Sequence, residues 1–352
     1  MYLGIDLGTS EIKFLLLDER HSVVAMLGEH LDISHPHPLW SEQHPHDWWA
    51  ATERGLTRLV NNHPQAMAQV RAIGLSGQMH GAVLLDVDGE VLRPAILWND
   101  GRSSAECVAL TQALPQLGAV AGNLAMPGFT APKLAWVREH EPAVYARTAR
   151  VLLPKDWLRL KLGGVAVSDC SDASGTLWLD VGARCWSEEL LAATGLGKHH
   201  MPQLVEGSEV SGTLKPEWAR RWGMPEGVSL AGGAGDNAAS AVGMGLVQPG
   251  QGFVSLGTSG VIFVTTDRFL PNPAQAMHAF CHAVPGRWHQ MSVMLSAAGA
   301  VSWATRQFGF ADEAELSAAA AACDSSARAN APIFLPYLSG ERTPHNNVHA
   351  QA

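Results

Sequence analysis

Asp236 follows a run of glycines and alanines that leaves almost no side-chain bulk in front of it. Residues 231–239 read AGGAGDNAA, and the small residues after the aspartate favour a helix. Asp236 should therefore lie in the first turn of that helix, where the helix dipole favours a carboxylate. A carboxylate with such a bare approach can orient or deprotonate an attacking hydroxyl group. An ordinary N-cap aspartate is the alternative interpretation.

Two Gly-Thr-Ser turns each follow a predicted strand, one near the start of the chain and one after residue 256. The first contains Thr9 and Ser10, and the second contains Gly257, Thr258 and Ser259. Glycine lets the backbone bend sharply, so the amides and hydroxyls that follow can surround phosphate oxygens. A single turn of this kind is commonly an ordinary hairpin turn. Two of them, each opening a domain, predict a pair of phosphate-binding loops.

Two charged residues flank the first turn. Asp6 lies in a strand that is otherwise apolar, and a buried carboxylate is costly unless it is paired or bound to a cation. We therefore expect Mg²⁺ near Asp6, bound through water, with a carboxylate satisfied by backbone amides as the alternative. Lys13 on the next strand can reach a phosphate, although a solvated lysine is an equally good interpretation.

A third set of polar side chains follows two short apolar strands. Gln78, Met79 and His80 follow one strand, and Trp98 and Asp100 follow another. These residues offer amide, imidazole and carboxylate groups beside an indole face. Sugars are held by several hydrogen bonds together with an aromatic surface, so this set predicts a sugar site. Each string taken alone could instead consist of loop-capping residues.

The elements that must position these residues form two similar units. Strands are predicted over residues 2–8, 11–18, 23–29, 252–256, 261–265 and 333–338, and helices over 47–60, 100–113, 132–140, 236–244 and 311–323. The strand–turn–strand unit with its Leu-Gly-Thr-Ser sequence occurs twice, which suggests two domains of similar topology. We place the domains at residues 1–246 and 247–352, with a hinge near 244–250, where Gly, Pro and Gln cluster.

Composition restricts the class of protein. The chain has 352 residues, 47% of them hydrophobic and 16% charged, with a net charge of −9. Lys and Arg form no dense run and no apolar run approaches ~20 residues, so neither a nucleic acid nor a membrane is an expected partner. The 5 cysteines are widely spaced and the 16 histidines are scattered. This pattern favours the reducing cytoplasm over a disulfide framework or a structural zinc site.

Ten segments of the sequence together resemble the FGGY carbohydrate kinase family. They are GIDLGTS (4–10), PHPLWSEQ (36–43), GQMHGAVLLD (77–86), RPAILWNDGR (93–102), GNLAMPGFTAPKLAWV (122–137), LLPKDWLRL (152–160), GDNAA (235–239), SLGTSG (255–260), MSVMLSAA (291–298) and FLPYLSGERTPHNN (334–347). They run through nearly the whole chain and are highly specific as a set. The QMHG and LWNDGR segments are most similar to the members that phosphorylate D-xylulose.

The resemblance implies an α/β fold of two RNase H-like, actin-like ATPase domains with a central cleft. It also implies ATP and Mg²⁺ as cofactors, D-xylulose as the sugar and D-xylulose 5-phosphate as the product, and it suggests a homodimer. Asp236 matches the family's catalytic base, and Met79 and His80 match its sugar-contacting pair. The remaining assignments are sugar contacts from Gln78, Trp98, Asp100, Asp236 and Asn237, phosphate contacts from Thr9, Ser10, Lys13, Gly257, Thr258 and Ser259, and metal contacts from Asp6 and Asp236.

Two departures from the family pattern leave alternatives open. Family members usually have glycine where this chain has Glu11, and a carboxylate there would repel ATP unless it points outward. They also continue well beyond the length of this chain, so we expect a truncated second domain without the Gly-rich adenosine-binding segment. The alternatives are a kinase for ribulose, gluconate or another polyol, and an inactive sugar-binding remnant. A chaperone-like or filament-forming actin relative would have no need for the sugar-type strings at 77–80 and 96–102.

Overall fold

The computed structural model describes residues 1–347 and 349–351. The predicted second domain, residues 247–352, thus contains two residues, Val348 and Ala352, that lie outside the described part. The strands are β1 (Tyr2–Leu7), β2 (Glu11–Leu17), β3 (Val23–His30), β4 (Glu42–Gln43), β5 (Ala72–Gly77), β6 (Val83–Leu85), β7 (Ala95–Ile96), β8 (Arg150–Leu152), β9 (Val167–Asp169), β10 (Leu179–Asp180), β11 (Cys185–Trp186), β12 (Gln203–Val205), β13 (Val210–Thr213), β14 (Ser229–Ala231), β15 (Ala234–Gly235), β16 (Gly252–Leu256), β17 (Gly260–Thr266), β18 (His278–Cys281) and β19 (Trp288–Met294).

The helices alternate with these strands, as expected for an α/β protein. They are α1 (Pro45–Asn62), α2 (Pro64–Met67), α3 (Ser104–Ala113), α4 (Leu117–Ala121), α5 (Thr130–His140), α6 (Pro142–Arg147), α7 (Pro154–Gly163), α8 (Cys170–Ala173), α9 (Glu188–Ala193), α10 (Pro216–Arg221), α11 (Asp236–Gly243), α12 (Ala298–Gln307), α13 (Glu313–Ala322) and α14 (Ser325–Ala329). Across residues 1–347 and 349–351, none of them combines the length and the apolar character that a bilayer crossing requires.

The first sheet confirms the predicted antiparallel meander of β1, β2 and β3. Its order is β13-β14-β5-β1-β2-β3, and β15 pairs with β5 as well. Side chains alternate between the two faces of a strand. Ile5 and Phe14 therefore point into a core against α1 and α7, while Asp6 and Lys13 lie opposite each other on the other face. This other face carries the charged groups that the sequence singled out.

The second sheet confirms the repeated strand–turn–strand unit. It is wholly antiparallel, with the order β16-β17-β19-β18. We call the part of the chain built on the first sheet the first lobe and the part built on the second sheet the second lobe. Strand β18 of the second lobe contacts the first lobe directly. Asn123 Nδ2 donates to the Ala279 carbonyl over 3.1 Å, and Cys281 N donates to Ser174 Oγ over 2.9 Å. Phe280 of the same strand belongs to a hydrophobic cluster shared with helices of the first lobe. The base of the space between the lobes is thus closed by β18.

Helix starts differ from the sequence-based expectations for local reasons. The helix predicted from Asp47 begins at Pro45, whose fixed φ and missing N–H suit the first helical position, and His44 rather than Asp47 accepts the capping hydrogen bond. The helix predicted from Asp100 begins at Ser104, because the Asp100 carboxylate binds the Arg102 backbone N–H and forms a turn. Asp236 does lie in the first turn of α11, as predicted.

The strand predicted at residues 333–338 was wrong. This segment has no ladder of backbone hydrogen bonds to a neighbouring strand within the described chain, and Ile333 is 90% exposed. A strand pattern needs a partner for its N–H and C=O groups, and apolar composition alone does not supply one.

Close packing of α1 on the sheet generates a stability prediction. A Cβ atom added to Gly55 would lie 2.2 Å from Cε2 of Phe14, whose ring is fully buried. We therefore expect Gly55→Ala to lower the free energy of unfolding by about 1–3 kcal/mol, as overpacking of a dense core does. Urea denaturation followed by circular dichroism measures this change.

The matched control is Gly243→Ala, at the end of α11, where an added Cβ meets nothing within 4 Å. This variant should be neutral or up to ~1 kcal/mol more stable, because alanine is the better helix former. Equal stability of the two variants would contradict the packing argument.

Candidate active site

The site lies at the edge of the first sheet where its parallel strands end. Strand β5 pairs in parallel with β1 on one side and with β15 on the other, and Gly77 is aligned with both Leu7 and Gly235. The residues that follow these strands therefore emerge side by side at one edge. They are the first Gly-Thr-Ser turn, the Gln78–His80 string and Asp236. Parallel pairing thus brings together three features that are far apart in sequence.

A cavity of about 440 Å³ lies at this edge, between the two lobes. It is lined by predicted site residues, namely Met79, His80, Trp98, Asp100, Asp236, Asn237 and Ser259. It is also lined by residues to which the sequence assigned no role, including Phe129, His278, Phe280 and Arg342. The mixture of aromatic, imidazole and carboxylate groups suits a small polyhydroxylated ligand.

Asp236 presents its carboxylate to this cavity. Its Oδ1 accepts hydrogen bonds from the backbone N–H and the Nδ2 of Asn237, at 2.7 Å and 2.9 Å. The Asp236 side chain is exposed to solvent within the open cavity, although many protein atoms of both lobes surround it and reduce its hydration. This desolvation raises the pKa of Asp236 to about 6, the bonds from Asn237 lower it, and the negative charge of Asp6 raises it further. At neutral pH the group is mostly ionised and can accept a proton.

A buried chain of hydrogen bonds holds the backbone that precedes Asp236. Gly235 N donates to Ser171 Oγ over 3.2 Å, and Ser171 Oγ donates to Asp169 Oδ2 over 2.5 Å. The other oxygen of Asp169 lies 3.0 Å from Lys155 Nζ. The position of the Asp236 backbone thus depends on an ion pair behind the cavity wall.

Three buried carboxylates share this one lysine. Lys155 Nζ lies 2.6 Å from Asp156 and 3.7 Å from Asp172, in addition to its contact with Asp169. Burial alone would lower the pKa of Lys155, but the three carboxylates raise it above its usual range. Burial raises the pKa of Asp172 well above that of an exposed aspartate, so Asp172 holds its proton more readily. The LLPKDWLRL segment contained half of this cluster, but no local pattern revealed its partners.

His80 is held in a single orientation. Its φ of 70° is left-handed, and its carbonyl accepts hydrogen bonds from Lys133 Nζ over 2.8 Å and Thr130 Oγ1 over 3.1 Å. Its Nδ1 lies 2.8 Å from the Gly175 carbonyl, which can only accept, so Nδ1 carries the proton. Burial, aided by the charge of Lys133, lowers the pKa of His80 to about 3. The neutral imidazole is therefore left with Nε2 as a hydrogen-bond acceptor.

Gln78 and Thr9 connect the first turn to the sugar-type strings. Thr9 Oγ1 donates to Gln78 Oε1 over 3.1 Å and accepts from Trp98 Nε1 over 3.0 Å. The amide of Gln78 also donates to Gln43 Oε1, and Gln78 is buried away from the cavity. The structure therefore places Gln78 behind the wall, where it holds the turn in position. Its predicted sugar contact has no geometric support.

Asp100 lines the cavity, but protein groups already occupy its carboxylate. Its oxygens accept from Ser41 N at 2.7 Å and from the Arg102 backbone and guanidinium at 2.7–2.9 Å. Arg102 in turn stacks on Trp40, at 3.7 Å from the ring centroid. This arrangement favours a role in holding the loop that carries Trp98, and a direct sugar contact from Asp100 stays a prediction.

The first candidate phosphate region contains both signs of charge. Asp6 Oδ1 accepts from Ser76 Oγ over 2.7 Å, and the Lys13 side chain is 59% exposed. Both residues line an open depression of about 500 Å³ next to the cavity that contains Asp236. Glu11 Oε2 lies 4.0 Å from Lys13 Nζ, so an opposite charge accompanies the carboxylate that departs from the family pattern. Ser10 is exposed on the same turn.

The second turn is packed against the start of α12. Gly257 N donates to the Ser259 carbonyl over 2.9 Å, and the Thr258 carbonyl accepts from Ala297 N over 2.8 Å. Residues 257–259 are exposed, and Ser259 lines the cavity that contains Asp236. Hydroxyl and amide groups of this turn are thus accessible from the same space as Asp236.

Comparison with known proteins agrees with this geometry. The model for the N-terminal domain of the FGGY family of carbohydrate kinases matches residues 1–243, and the model for the C-terminal domain matches residues 252–352. The predicted division after residue 246 falls between the two matches, and its exact place stays a prediction.

Relatives and solved structures extend the comparison over the whole chain. The chain is 54% identical to the xylulose kinases of Escherichia coli K12 and Klebsiella pneumoniae, with all of this chain and 72% of each relative aligned. The Brucella ovis xyloylose kinase structure has a TM-score of 0.95 at 52% identity over 99% of this chain and 72% of that one. The Rhodospirillum rubrum xylulose kinase structure has a TM-score of 0.91 at 29% identity over 97% of this chain and 71% of that one. The predicted actin-like two-domain fold is confirmed, and the chain belongs to the FGGY family of carbohydrate kinases.

Proposed function

We propose that this chain transfers the terminal phosphoryl group of ATP to D-xylulose, giving D-xylulose 5-phosphate, with Asp236 as general base. The observation that carries the proposal is the single cavity shared by Asp236, Met79 and His80. The names of the relatives at 54% identity support xylulose as the sugar. A base can act only if it lies within hydrogen-bond reach of the hydroxyl, and this cavity allows that approach.

The cavity wall has the groups that a sugar chain requires. Asp236 is ionised at neutral pH and can accept the proton of the reacting hydroxyl, while Asn237 holds the carboxylate in place. The neutral His80 offers Nε2 to another hydroxyl. Trp98 and Phe129 supply aromatic surface for the carbon chain. Positioning and charge stabilisation account for most of the catalysis in phosphoryl transfer, and these contacts provide positioning.

Asp6 and Asp236, the two carboxylates at the sheet edge, are the residues that would hold Mg²⁺. The charge of Asp6 raises the pKa of Asp236, so the two groups are close enough to repel each other, and a divalent cation would relieve that repulsion. The described residues contain no cluster of three or more protein ligands. Mg²⁺ needs only one or two carboxylates when phosphates and water complete its shell. Bound there, the ion would neutralise phosphate charge.

ATP would place its phosphates between the two Gly-Thr-Ser turns. The exposed residues of the second turn and Lys13 beside the first offer amide, hydroxyl and ammonium donors. Glu11 would act against this binding, although Lys13 compensates part of its charge. The predicted homodimer, the cytoplasmic location and the lack of nucleic-acid or membrane partners stay predictions.

We also propose that the lobes close over the sugar, which excludes water from the reacting phosphate. The connection between α11 and β16 contains Gly245 and Gly250, with left-handed φ values of 75° and 82°. Such residues can absorb a change in backbone angle, so the hinge is expected within 244–250. Small-angle scattering should show a smaller radius of gyration with D-xylulose than without it. An unchanged radius would contradict closure.

Replacement of the base tests the proposed function. Asp236→Asn keeps the size of the side chain but removes its ability to accept the proton, and it should lower kcat by about 10²- to 10⁴-fold. A coupled assay for ADP release measures kcat with D-xylulose, D-ribulose and D-gluconate, and D-xylulose should give the largest kcat/KM. Asp88→Asn, at an exposed position outside the site, is the matched control. Activity of Asp236→Asn within tenfold of the wild type would refute Asp236 as the base.

The raised pKa of Asp236 generates a pH prediction. The base must be ionised in order to act, so kcat/KM should fall as the pH decreases through about 6 and should lose about tenfold per unit below that value. The ordinary pKa of an aspartate would place this acid limb about two units lower. A pH profile of kcat/KM measures its midpoint, and a midpoint near 4 would show that burial does not perturb the base.

A further inference from the structure

Arg342 projects from a loop that is fastened to the second sheet on both sides of it. The Glu341 carboxylate accepts from Leu295 N over 3.0 Å. Thr343 N donates to the Val293 carbonyl over 3.1 Å, and Thr343 Oγ1 donates to the Ala276 carbonyl over 3.1 Å. Because both neighbours are anchored, Arg342 is presented to the sugar cavity, which it lines.

The guanidinium of Arg342 makes no hydrogen bond or ion pair with any residue in 1–347 or 349–351. Other arginines with little exposed surface have protein partners: Arg93, Arg102 and Arg184 pair with carboxylates, and the Arg159 guanidinium donates to Ser211 and to the Val165 carbonyl. A guanidinium has five N–H donors and no acceptor, and burial without a partner is costly. Burial indeed lowers the pKa of Arg342, even beside Glu341. An oxygen atom of a ligand would satisfy these donors.

Several other N–H groups on the wall are already engaged. The indole N–H of Trp98 and Nδ1 of His80 donate to protein oxygens, as described above. His278 Nδ1 lies 2.8 Å from Asn123 Oδ1. Asn123 Nδ2 donates to the Ala121 and Ala279 carbonyls, so its oxygen faces His278 and His278 Nδ1 carries the proton. Both imidazoles are therefore left with acceptors, and Arg342 is the charged donor of the cavity.

A ketose sugar contains an oxygen that can only accept hydrogen bonds, and such an oxygen suits the N–H donors of Arg342. This argument rests on the proposed function. A ketopentose closes its ring by attack of O5 on the C2 carbonyl. Phosphorylation at O5 needs a free hydroxyl there, so the reacting species is the open chain. The open chain exposes a C2 carbonyl, whose oxygen accepts hydrogen bonds and cannot donate them.

We propose that the Arg342 guanidinium donates to the C2 carbonyl oxygen of the open-chain ketopentose and thereby selects the ketose over the corresponding alditols. An alditol has a hydroxyl at C2. Its oxygen can accept from Arg342, but it carries a proton that needs an acceptor of its own, which a carbonyl oxygen does not. A site built around a hydrogen bond rejects analogues that leave a buried polar group unpaired. His80 and His278 lie near the guanidinium and offer their acceptors to hydroxyls elsewhere on the chain.

Equilibrium binding tests the inference without requiring catalysis. Calorimetric titration of the full chain with D-xylulose, xylitol and D-arabitol should show the ketose binding about 10- to 100-fold more tightly, as expected for a charge-assisted hydrogen bond. Arg342→Met should weaken the binding of D-xylulose by about that factor. Its affinity for both alditols should stay within roughly threefold of the wild-type affinity, so that the preference for the ketose disappears. Arg342→Lys keeps the charge but loses the planar pair of N–H donors, so its affinity for D-xylulose should lie between those of the wild type and Arg342→Met.

The matched control is Arg306→Met, the same chemical change on the exposed surface of α12. It should bind all three compounds like the wild type. The inference is overturned if the wild type does not prefer the ketose, if Arg342→Met binds D-xylulose normally, or if it loses ketose and alditols equally. Retained alditol binding by Arg342→Met also shows that the variant is folded. Failure of the proposed function would appear separately, as a chain that binds D-xylulose selectively but transfers no phosphate from ATP.

Discussion

The parallel pairing of β5 with β1 and β15 is the constraint on which the rest of the site depends. Parallel strands end at the same edge, so their register decides which following residues meet there. A shift of one residue in β15 would turn the following chain and move Asp236 off the cavity wall. The bonds from Gly235 to Ser171 and on to Asp169 support this register from behind. The position of one carboxylate is thus set by backbone pairing and by a buried hydrogen-bond chain together.

Burial in the cavity assigns opposite hydrogen-bonding roles to its polar groups. Desolvation raises the pKa of Asp236 but lowers that of His80 and His278, because it disfavours the charged form of each group. The imidazoles are consequently neutral acceptors, and Asp236, the proposed base, has a pKa of about 6 and is mostly ionised at neutral pH. Arg342 stays a donor because its ordinary pKa is so high. One physical effect therefore produces a wall with distinct sites for hydroxyl protons and for an acceptor-only oxygen.

The sequence predicted the parts of the site that depend on local patterns. The meander, the two Gly-Thr-Ser turns and the place of Asp236 in the first turn of α11 all follow from strand periodicity, glycine and helix dipole arguments. Contacts made by distant residues could not be predicted in this way. Gln78, for example, was predicted to bind the sugar, but in the structure its amide contacts Thr9 and Gln43. The sequence assigned no function to Arg342, because only the folded structure shows that its guanidinium has no partner within the described residues.

The Lys155 cluster shows why such long-range contacts matter for the chemistry. Three carboxyl groups share one ammonium in a dry region, and removal of the lysine would leave those that are ionised without a compensating charge. Apolar residues of similar volume could fill this space at less cost, so stability alone does not explain the cluster. It does supply a directed acceptor, since Asp169 is held by Lys155 and in turn holds Ser171, which binds Gly235. We therefore interpret the Lys155 cluster, which lies behind the cavity wall, as part of the hydrogen-bonded network that positions the backbone of Asp236 at the cavity.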